Sequence, residues 1–208
     1  MISVFVTNTK GGCGKTTIAT NLAAAFAAGG LNTALADVDR QQSSLQWLKL
    51  RPETANNIEG HDWHKDTTKL GKRVHRLVID APAGLKMKHV DSLLEAADIV
   101  VVPVLPSIFD EVSTRDFLGR LEGLKPIRKQ KKGVAVVANR LRHRSRAAQR
   151  LETFLEEIEQ PVASRLSDRA IYGELAVQGQ SIFDLGGRQG EELRAEWLPL
   201  LRAIESTG

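Results

Sequence analysis

The sequence is poor in cysteine and has no long apolar run. Cys13 is the only cysteine among 208 residues, so the chain can form neither an internal disulfide nor a zinc site of several cysteines. This usage is typical of a reducing compartment, and we predict a cytoplasmic location. No apolar run approaches the ~18 residues of a transmembrane helix. The first six residues lack the basic start of a signal peptide, so we expect no membrane contact.

The remaining composition is that of an ordinary globular chain, with 42% apolar and 26% charged residues. Short β-branched runs alternate with longer helical patterns, which predicts an α/β fold. We expect one domain over residues 1–208, a doubly wound and mainly parallel sheet with helices on both faces. Predicted strands cover residues 2–6, 33–37, 76–80, 99–104, 134–139 and 161–165. Predicted helices begin after Lys15 and after Gln42, and cover 90–96, 110–124, 146–159, 169–177 and 190–204. The polar segment 52–73 is predicted to be an irregular connection with room for one short helix.

A glycine-rich loop follows the first predicted strand, in the stretch TNTKGGCGKTT at residues 7–17. It ends in the GKT of a phosphate-binding loop, in which backbone N–H groups surround phosphate oxygens and Lys15 neutralises the β and γ phosphates. The loop departs from the ordinary pattern twice, because Thr9 replaces a glycine and Lys10 adds a second lysine. The predicted nucleotide-binding residues here are Gly11, Gly12, Cys13, Gly14, Lys15, Thr16 and Thr17.

Acidic residues end the next two predicted strands. Asp37 and Asp39 follow the second strand, and Asp80 ends the third. Parallel strands of an open α/β sheet place their ligand crevice at their carboxyl ends, so these side chains are expected beside the glycine-rich loop. We predict that Thr16 and Asp80 hold Mg²⁺, with Asp80 acting through water. Asp39 is predicted to orient the attacking water.

Positive charge is concentrated in one stretch of the chain. Between residues 125 and 150 there are ten lysines or arginines and no acidic residue, although the net charge of the whole chain is only +4. Such a stretch indicates either an anionic partner or a solvated face, and composition alone does not separate the two.

These motifs together resemble the ParA/MinD family of ATPases with a deviant Walker A motif. KGGCGKTT is similar to the family's KGGxGKT, DVDRQQSS to its DxDPQxS segment, VIDAPAG to its switch II, and VVVPVLPS to its proline-containing strand end. The resemblance covers nearly the whole chain and is greatest for short ParA proteins of the ParF type. Arg40 departs from the pattern, since the family usually has proline there, and we expect the change to alter the local turn more than the chemistry.

The resemblance implies roles for several residues. ParA-like subunits close face to face over two ATP molecules, so Lys10 is expected to reach the phosphates held by a second copy. By the same resemblance, Asn139 and Pro106 are expected to border the adenine. Lys10, Lys15 and Asp39 are therefore the predicted catalytic residues, with ATP and Mg²⁺ as the predicted ligands.

The function that this resemblance implies is a slow ATPase that positions or segregates a cargo. The ATP-bound homodimer is expected to bind nucleoid DNA without sequence preference, and a small cargo-linked protein is expected to stimulate hydrolysis. By the same resemblance, the expected cargo is a plasmid, a chromosome region or a protein assembly. The predicted DNA-contacting residues are Arg140, Arg142, Arg144, Arg146, Arg165 and Arg169.

Two alternatives use the same loop. A membrane-cycling MinD-type protein needs a basic amphipathic helix at its C-terminal end. Residues 191–208 do place apolar side chains on one helical face, but with four glutamates against two arginines, which favours a helix packed on the sheet. A metabolic P-loop enzyme is the other alternative, and it leaves Lys10 unexplained.

Overall fold

Strands with valine- and isoleucine-rich centres form one parallel sheet in the computed structural model, which describes residues 1–65, 67, 70–142 and 144–208. All strand pairs in this described part are parallel, as predicted. The order across the sheet is β3-β2-β4-β1-β5-β6-β7. The strands are β1 (Ile2–Val6), β2 (Thr33–Asp37), β3 (Glu59–Asp62), β4 (Arg76–Asp80), β5 (Ile99–Val104), β6 (Gly133–Leu141) and β7 (Val162–Ser167).

Helices cover both faces of the sheet, which confirms the doubly wound prediction. One apolar core joins the sheet to α1, α2, α7, α8 and α9, and a second core joins its other face to α3, α4 and α6. The helices are α1 (Lys15–Ala28), α2 (Ser43–Leu50), α3 (Met87–Leu94), α4 (Ile108–Gly123), α5 (Lys125–Arg128), α6 (Arg146–Glu157), α7 (Ile171–Ala176), α8 (Gly187–Ala195) and α9 (Leu198–Glu205).

Strand register brings the predicted site together. Because β1, β4 and β2 are parallel neighbours, Val6 pairs with Asp80, and Asp80 pairs with Asp37 across the sheet. Every residue of β1 and β2 is buried, as expected of strands covered on both faces. The carboxyl ends of three central strands therefore meet at one edge, beside the start of α1.

Three local predictions were wrong. The segment 52–73, predicted to be irregular, contains the edge strand β3; its residues 66, 68 and 69 lie outside the described part. The four residues of β3, EGHD, show no apolar alternation. The strand is therefore held by backbone pairing with β2 rather than by burial of apolar side chains. The short helix α5 was also missed.

The third error concerns the last predicted helix, which is two helices. Helix α8 ends at Ala195, and α9 begins at Leu198. Pro199 lies in the first turn of α9, a position that proline tolerates. Trp197, Leu200 and Ile204 are fully buried in the core. The prediction that this apolar face packs on the sheet is confirmed. Within the described residues, no helix is long and apolar enough to cross a membrane.

A buried ion pair fastens α2 to the segment after α7. Arg51 and Asp184 form two parallel hydrogen bonds of 2.8 and 2.9 Å, with side chains only 5% and 7% exposed. Arg51 also donates to the carbonyl of Gly179 at 3.2 Å, and its guanidinium lies 5.1 Å from the centre of the Trp47 ring. The pair thus ties the helix after β2 to the loop that precedes α8.

We predict that Arg51→Ala lowers the free energy of unfolding by ~3–5 kcal/mol, because it leaves the Asp184 charge buried without its partner. Arg188→Ala is the control, since the Arg188–Glu192 pair is 91% and 66% exposed and should contribute less than ~1 kcal/mol. Urea unfolding of the two variants measures the difference. Equal losses of unfolding free energy in the two variants would contradict a stabilising role for the buried Arg51–Asp184 pair.

Candidate nucleotide-binding site

The loop between β1 and α1 has the backbone of an anion-binding turn. Gly12 and Gly14 have φ of 78° and 94°, in the left-handed region that glycine adopts without strain. Gly14 immediately precedes α1, and no side chain caps that helix. The first N–H groups of α1 are therefore available to a phosphate, and the helix dipole favours negative charge there.

Asn139 at the end of β6 holds this loop. Its Nδ2 donates to the carbonyl of Cys13 at 2.8 Å, and a Cβ added at Gly14 would lie 2.2 Å from the same nitrogen. The close approach explains why glycine is needed at position 14. Sequence reasoning assigned Asn139 only to the adenine, so it missed this contact with the loop.

A cleft of about 270 Å³ adjoins Asn139 and provides room for a base. Its wall includes Thr17 on α1, Arg169 before α7, Tyr172 and Trp197. Burial raises the pKa of Tyr172 to about 12, and its hydroxyl accepts a hydrogen bond from Trp197 Nε1 at 2.9 Å. The adenine contact of Asn139 stays a prediction. Pro106 follows β5 and is half-buried outside this cleft, so its predicted contact with the base also stays a prediction.

Lys15 lies buried at the centre of the loop. Its Nζ donates to the carbonyl of Lys10 at 2.6 Å and lies 3.8 Å from the Cys13 sulfur. Burial raises the pKa of the Cys13 thiol, with Asp110 adding to the rise and Lys15 opposing it, so the thiol stays protonated at neutral pH. A phosphate oxygen is a stronger partner for an ammonium group than a carbonyl is, so phosphate binding would draw Lys15 from the loop.

Helix α4 supports the part of the loop that carries Lys10. Asn8 Nδ2 donates to Thr114 Oγ1 at 2.9 Å, and the hydroxyls of Thr9 and Ser113 lie 3.0 Å apart. Thr9, which replaces the usual glycine, therefore contributes a contact that glycine lacks. The Lys10 side chain is half-buried and makes no ion pair with any described residue. Its positive charge is left available to an outside partner.

Asp80 has the features of a metal ligand. It is 2% exposed, and its Oδ1 has no hydrogen-bond partner among the described residues. Burial, followed by the charge of Asp37, raises the pKa of Asp80 to about 7, while the Thr16 hydroxyl, Lys15 and the Ser44 hydroxyl oppose the rise. An unpartnered carboxylate oxygen beside a threonine hydroxyl is a donor set that suits Mg²⁺, so these residues fit the predicted ion.

Asp37 and Asp39 have different surroundings. Asp37 is fully buried, and its carboxylate accepts hydrogen bonds from the backbone N–H groups of Asp39 and Ser44 at 2.8 and 2.9 Å. Asp39 is half-buried in the loop after β2, and its Oδ1 accepts from the N–H of Gln41 at 3.0 Å. The structure thus keeps Asp37 inside and leaves Asp39 at the edge, where a water-orienting group must lie. That role of Asp39 stays a prediction.

The basic stretch is divided by β6. Arg140 lies at the carboxyl end of this strand and Arg142, Arg144 and Arg146 follow it, whereas residues 125–132 precede its amino end. Nine residues of strand separate the two groups by ~30 Å. Arg169 lies after β7, at the same carboxyl edge as the arginines after β6.

Ion pairs distinguish the predicted DNA-contacting arginines. Arg165 forms three hydrogen bonds with Glu152, and Arg142 pairs with Asp168 at 2.8 Å. Among the described residues, the side chains of Arg140, Arg144, Arg146 and Arg169 make no ion pair and are exposed. These four are therefore better placed than Arg165 to receive an anion.

A sequence model of the CobQ/CobB/MinD/ParA nucleotide binding domain matches residues 4–182. The chain belongs to this family. The predicted ParA/MinD membership is thereby confirmed, and the loop and acidic strand ends described above lie within the matched nucleotide-binding region. The assignment to the ParF type stays a prediction.

The chain is similar to a curated protein and to several solved structures. It is 31% identical over 190 residues to the maintenance of carboxysome distribution protein A of Halothiobacillus neapolitanus, which covers 88% of this chain and 87% of that protein. The fold matches that of the MinD cell division protein of Aquifex aeolicus, with TM-score 0.76 and 16% identity over 99% of this chain and 97% of that chain. An ATP complex of Cyanothece McdA gives TM-score 0.76 and 15% identity over 100% of this chain and 96% of that chain. The two structural matches show the fold.

We predict that Asp80 makes the ligand-free chain less stable as pH rises. The pKa of Asp80 is about 7 in the folded chain against about 4 in the unfolded chain, so the folded state binds the extra proton between these values. Stability from this group is complete below pH ~4 and is lost as pH rises through ~7. Urea unfolding at a series of pH values from 4 to 8 measures this change in the free energy of unfolding.

The comparison needs two variants. Asp80→Asn should remove this pH-dependent loss of stability, whereas Asp116→Asn, at an exposed position on α4, should follow the wild type. Curves for the wild type and Asp80→Asn that run parallel over this range would show that Asp80 ionises without penalty, contrary to its buried position.

Proposed function

We propose that this chain is a Mg²⁺-dependent ATPase that dimerises with ATP, binds DNA without sequence preference and distributes a protein cargo along the nucleoid. The observation that carries the proposal is the meeting of Lys15, Thr16 and the unpartnered Asp80 oxygen at one sheet edge, beside a loop with a second, unpaired lysine. Slow turnover and stimulation by a partner belong to the same proposal.

Each residue of the site has a defined task in this proposal. The N–H groups at the start of α1 hold phosphate oxygens, and Lys15 supplies positive charge to them. Thr16 and Asp80 hold Mg²⁺, which neutralises charge that develops on the phosphates. Asp39 orients the attacking water from the loop after β2, and the cleft beside Asn139 receives the base.

A second copy of the chain completes the site. Lys10 has no acidic partner among the described residues, and α4 fixes the backbone around it through Thr9 and Ser113. A lysine at this point in the loop supplies charge in trans, as an arginine finger does. The metabolic alternative gives Lys10 no task.

The proposed cargo follows from the relative rather than from the site. Identity of 31% to a protein named for the maintenance of carboxysome distribution supports a protein compartment as the cargo, with a small cargo-linked protein as the activator. Membrane cycling of the MinD type is less well supported, because Trp197, Leu200 and Ile204 are buried in the core and do not form a free apolar face.

We predict that Lys10→Ala binds ATP through Lys15 but no longer dimerises or hydrolyses it. Light scattering with a non-hydrolysable ATP analogue should give twice the monomer mass for the wild type and the monomer mass for the variant. Lys131→Ala, an exposed lysine before β6, is the control and should dimerise normally.

A wild-type chain that remains a monomer with the analogue would contradict ATP-dependent dimerisation. A Lys10→Ala chain with normal dimerisation and turnover would contradict the trans role of the lysine.

We further predict that DNA binding requires the ATP-bound dimer and the exposed arginines at the carboxyl ends of β6 and β7, namely Arg140, Arg144, Arg146 and Arg169. If each subunit neutralises ~3–4 phosphates, the slope of log K against log salt should be roughly −5 to −7. The dimer should bind much more tightly than the monomer, since it joins two basic faces. All DNA sequences should bind alike, because phosphates rather than base edges are contacted.

Charge reversal at single positions tests the geometry of this surface. Arg169→Glu should weaken DNA binding more than Arg165→Glu, since Glu152 already neutralises Arg165. Lys131→Glu makes the same charge change at the opposite end of β6 and should have the smallest effect. Fluorescence anisotropy with labelled DNA measures all three; equal effects, or binding that is unchanged without ATP, would refute this surface.

A further inference from the structure

Ser44 is a fully buried serine at the start of α2, seven residues beyond Asp37. Its hydroxyl donates to Asp37 Oδ2 at 2.6 Å, and its backbone N–H donates to the same oxygen at 2.9 Å. A hydrogen bond of this length to a carboxylate is of the strong, charge-assisted kind. Sequence reasoning gave Ser44 no role.

The start of α2 depends on this contact. Gln42, the residue that caps the helix, has φ of 52° and its side chain makes no capping hydrogen bond. Asp37 acts in its place, since its Oδ2 also accepts from the N–H of Leu45 at 3.4 Å. A carboxylate at a helix N-terminus is favoured by the helix dipole, so α2 begins where Asp37 holds it.

The other oxygen of Asp37 reaches the loop that carries Asp39. Asp37 Oδ1 accepts a hydrogen bond from the backbone N–H of Asp39 at 2.8 Å. One buried carboxylate therefore fixes both ends of the segment from Asp39 to Ser44.

We propose that Ser44 is a positioning residue for ATP hydrolysis, which anchors α2 to Asp37 and thereby holds Asp39 at the metal-binding edge. The proposal rests on the proposed ATPase function. Loss of the hydroxyl leaves one carboxylate oxygen with fewer donors and allows the loop to shift. Since the hydroxyl and N–H of Ser44 both donate to Asp37 rather than to the phosphate-binding loop, nucleotide affinity should be retained.

The first test separates turnover from binding. Ser44→Ala should lower kcat ~10- to 100-fold, as small misplacements of a reacting group do, while KM for ATP changes less than ~3-fold. Ser44→Cys fills the same space with a poor donor and should lose kcat to a similar extent. Lys49→Ala, exposed on the same helix, is the control and should keep the wild-type kcat.

The second test needs no ATP. In the ligand-free chain, amide hydrogen exchange at Asp39 and Ser44 should be ~10-fold faster in Ser44→Ala or Ser44→Cys than in the wild type, with unchanged exchange in β4. Should the alanine variant not fold, the cysteine variant, which preserves volume, supplies both measurements.

The outcomes are separable. Wild-type kcat and exchange in Ser44→Cys would overturn the proposal, because the hydroxyl would then serve only to fill space. A rise in KM equal to the loss in kcat/KM would also overturn it, since the effect would lie in nucleotide binding. A wild-type chain without ATPase activity would refute the proposed function, while the exchange comparison would still decide whether Ser44 anchors the loop.

Discussion

Two carboxylates are buried side by side at the edge of the sheet, and the rest of the site is arranged around them. Asp37 and Asp80 pair in register on neighbouring strands, both nearly inaccessible to water. Burial, and after it the neighbouring charge of Asp37, opposes ionisation of Asp80, which is why the pKa of Asp80 is raised to about 7. Such a pair is stable in its charged form only with donors or cations around it.

The two carboxylates have different hydrogen-bond partners, and this difference suits them to different roles. Asp37 receives N–H and hydroxyl donors from Asp39 and Ser44, so it serves the backbone of the loop after β2. Asp80 keeps one oxygen without a partner, beside Thr16 and Lys15, so it is open to a cation. A metal ion bound at Asp80 would therefore lie next to Asp37, which holds the loop that carries Asp39.

Much of this arrangement could be predicted from sequence because its signals are local. The KGGCGKT loop, the strand-end aspartates and the alternating strands and helices lie in continuous stretches, and they placed Lys15, Thr16 and Asp80 at one edge. The strand β3 was not predicted, because EGHD has no apolar periodicity and the strand forms through pairing with β2. Contacts between distant residues, such as Asn139 with the Cys13 carbonyl, have no signal in a single sequence. The ion pair of Arg165 with Glu152 is also of this kind, and it changes which arginines are available.

The central claim is that the loop and the buried carboxylates together form one Mg²⁺-nucleotide site, and calorimetric titration of ATP tests it most directly. We predict one ATP per chain, with affinity that falls strongly when Mg²⁺ is chelated, and no detectable binding to Lys15→Ala. The exposed-lysine variant Lys49→Ala should bind as the wild type does. Binding that survives in Lys15→Ala, or that is equal with and without Mg²⁺, would contradict the account.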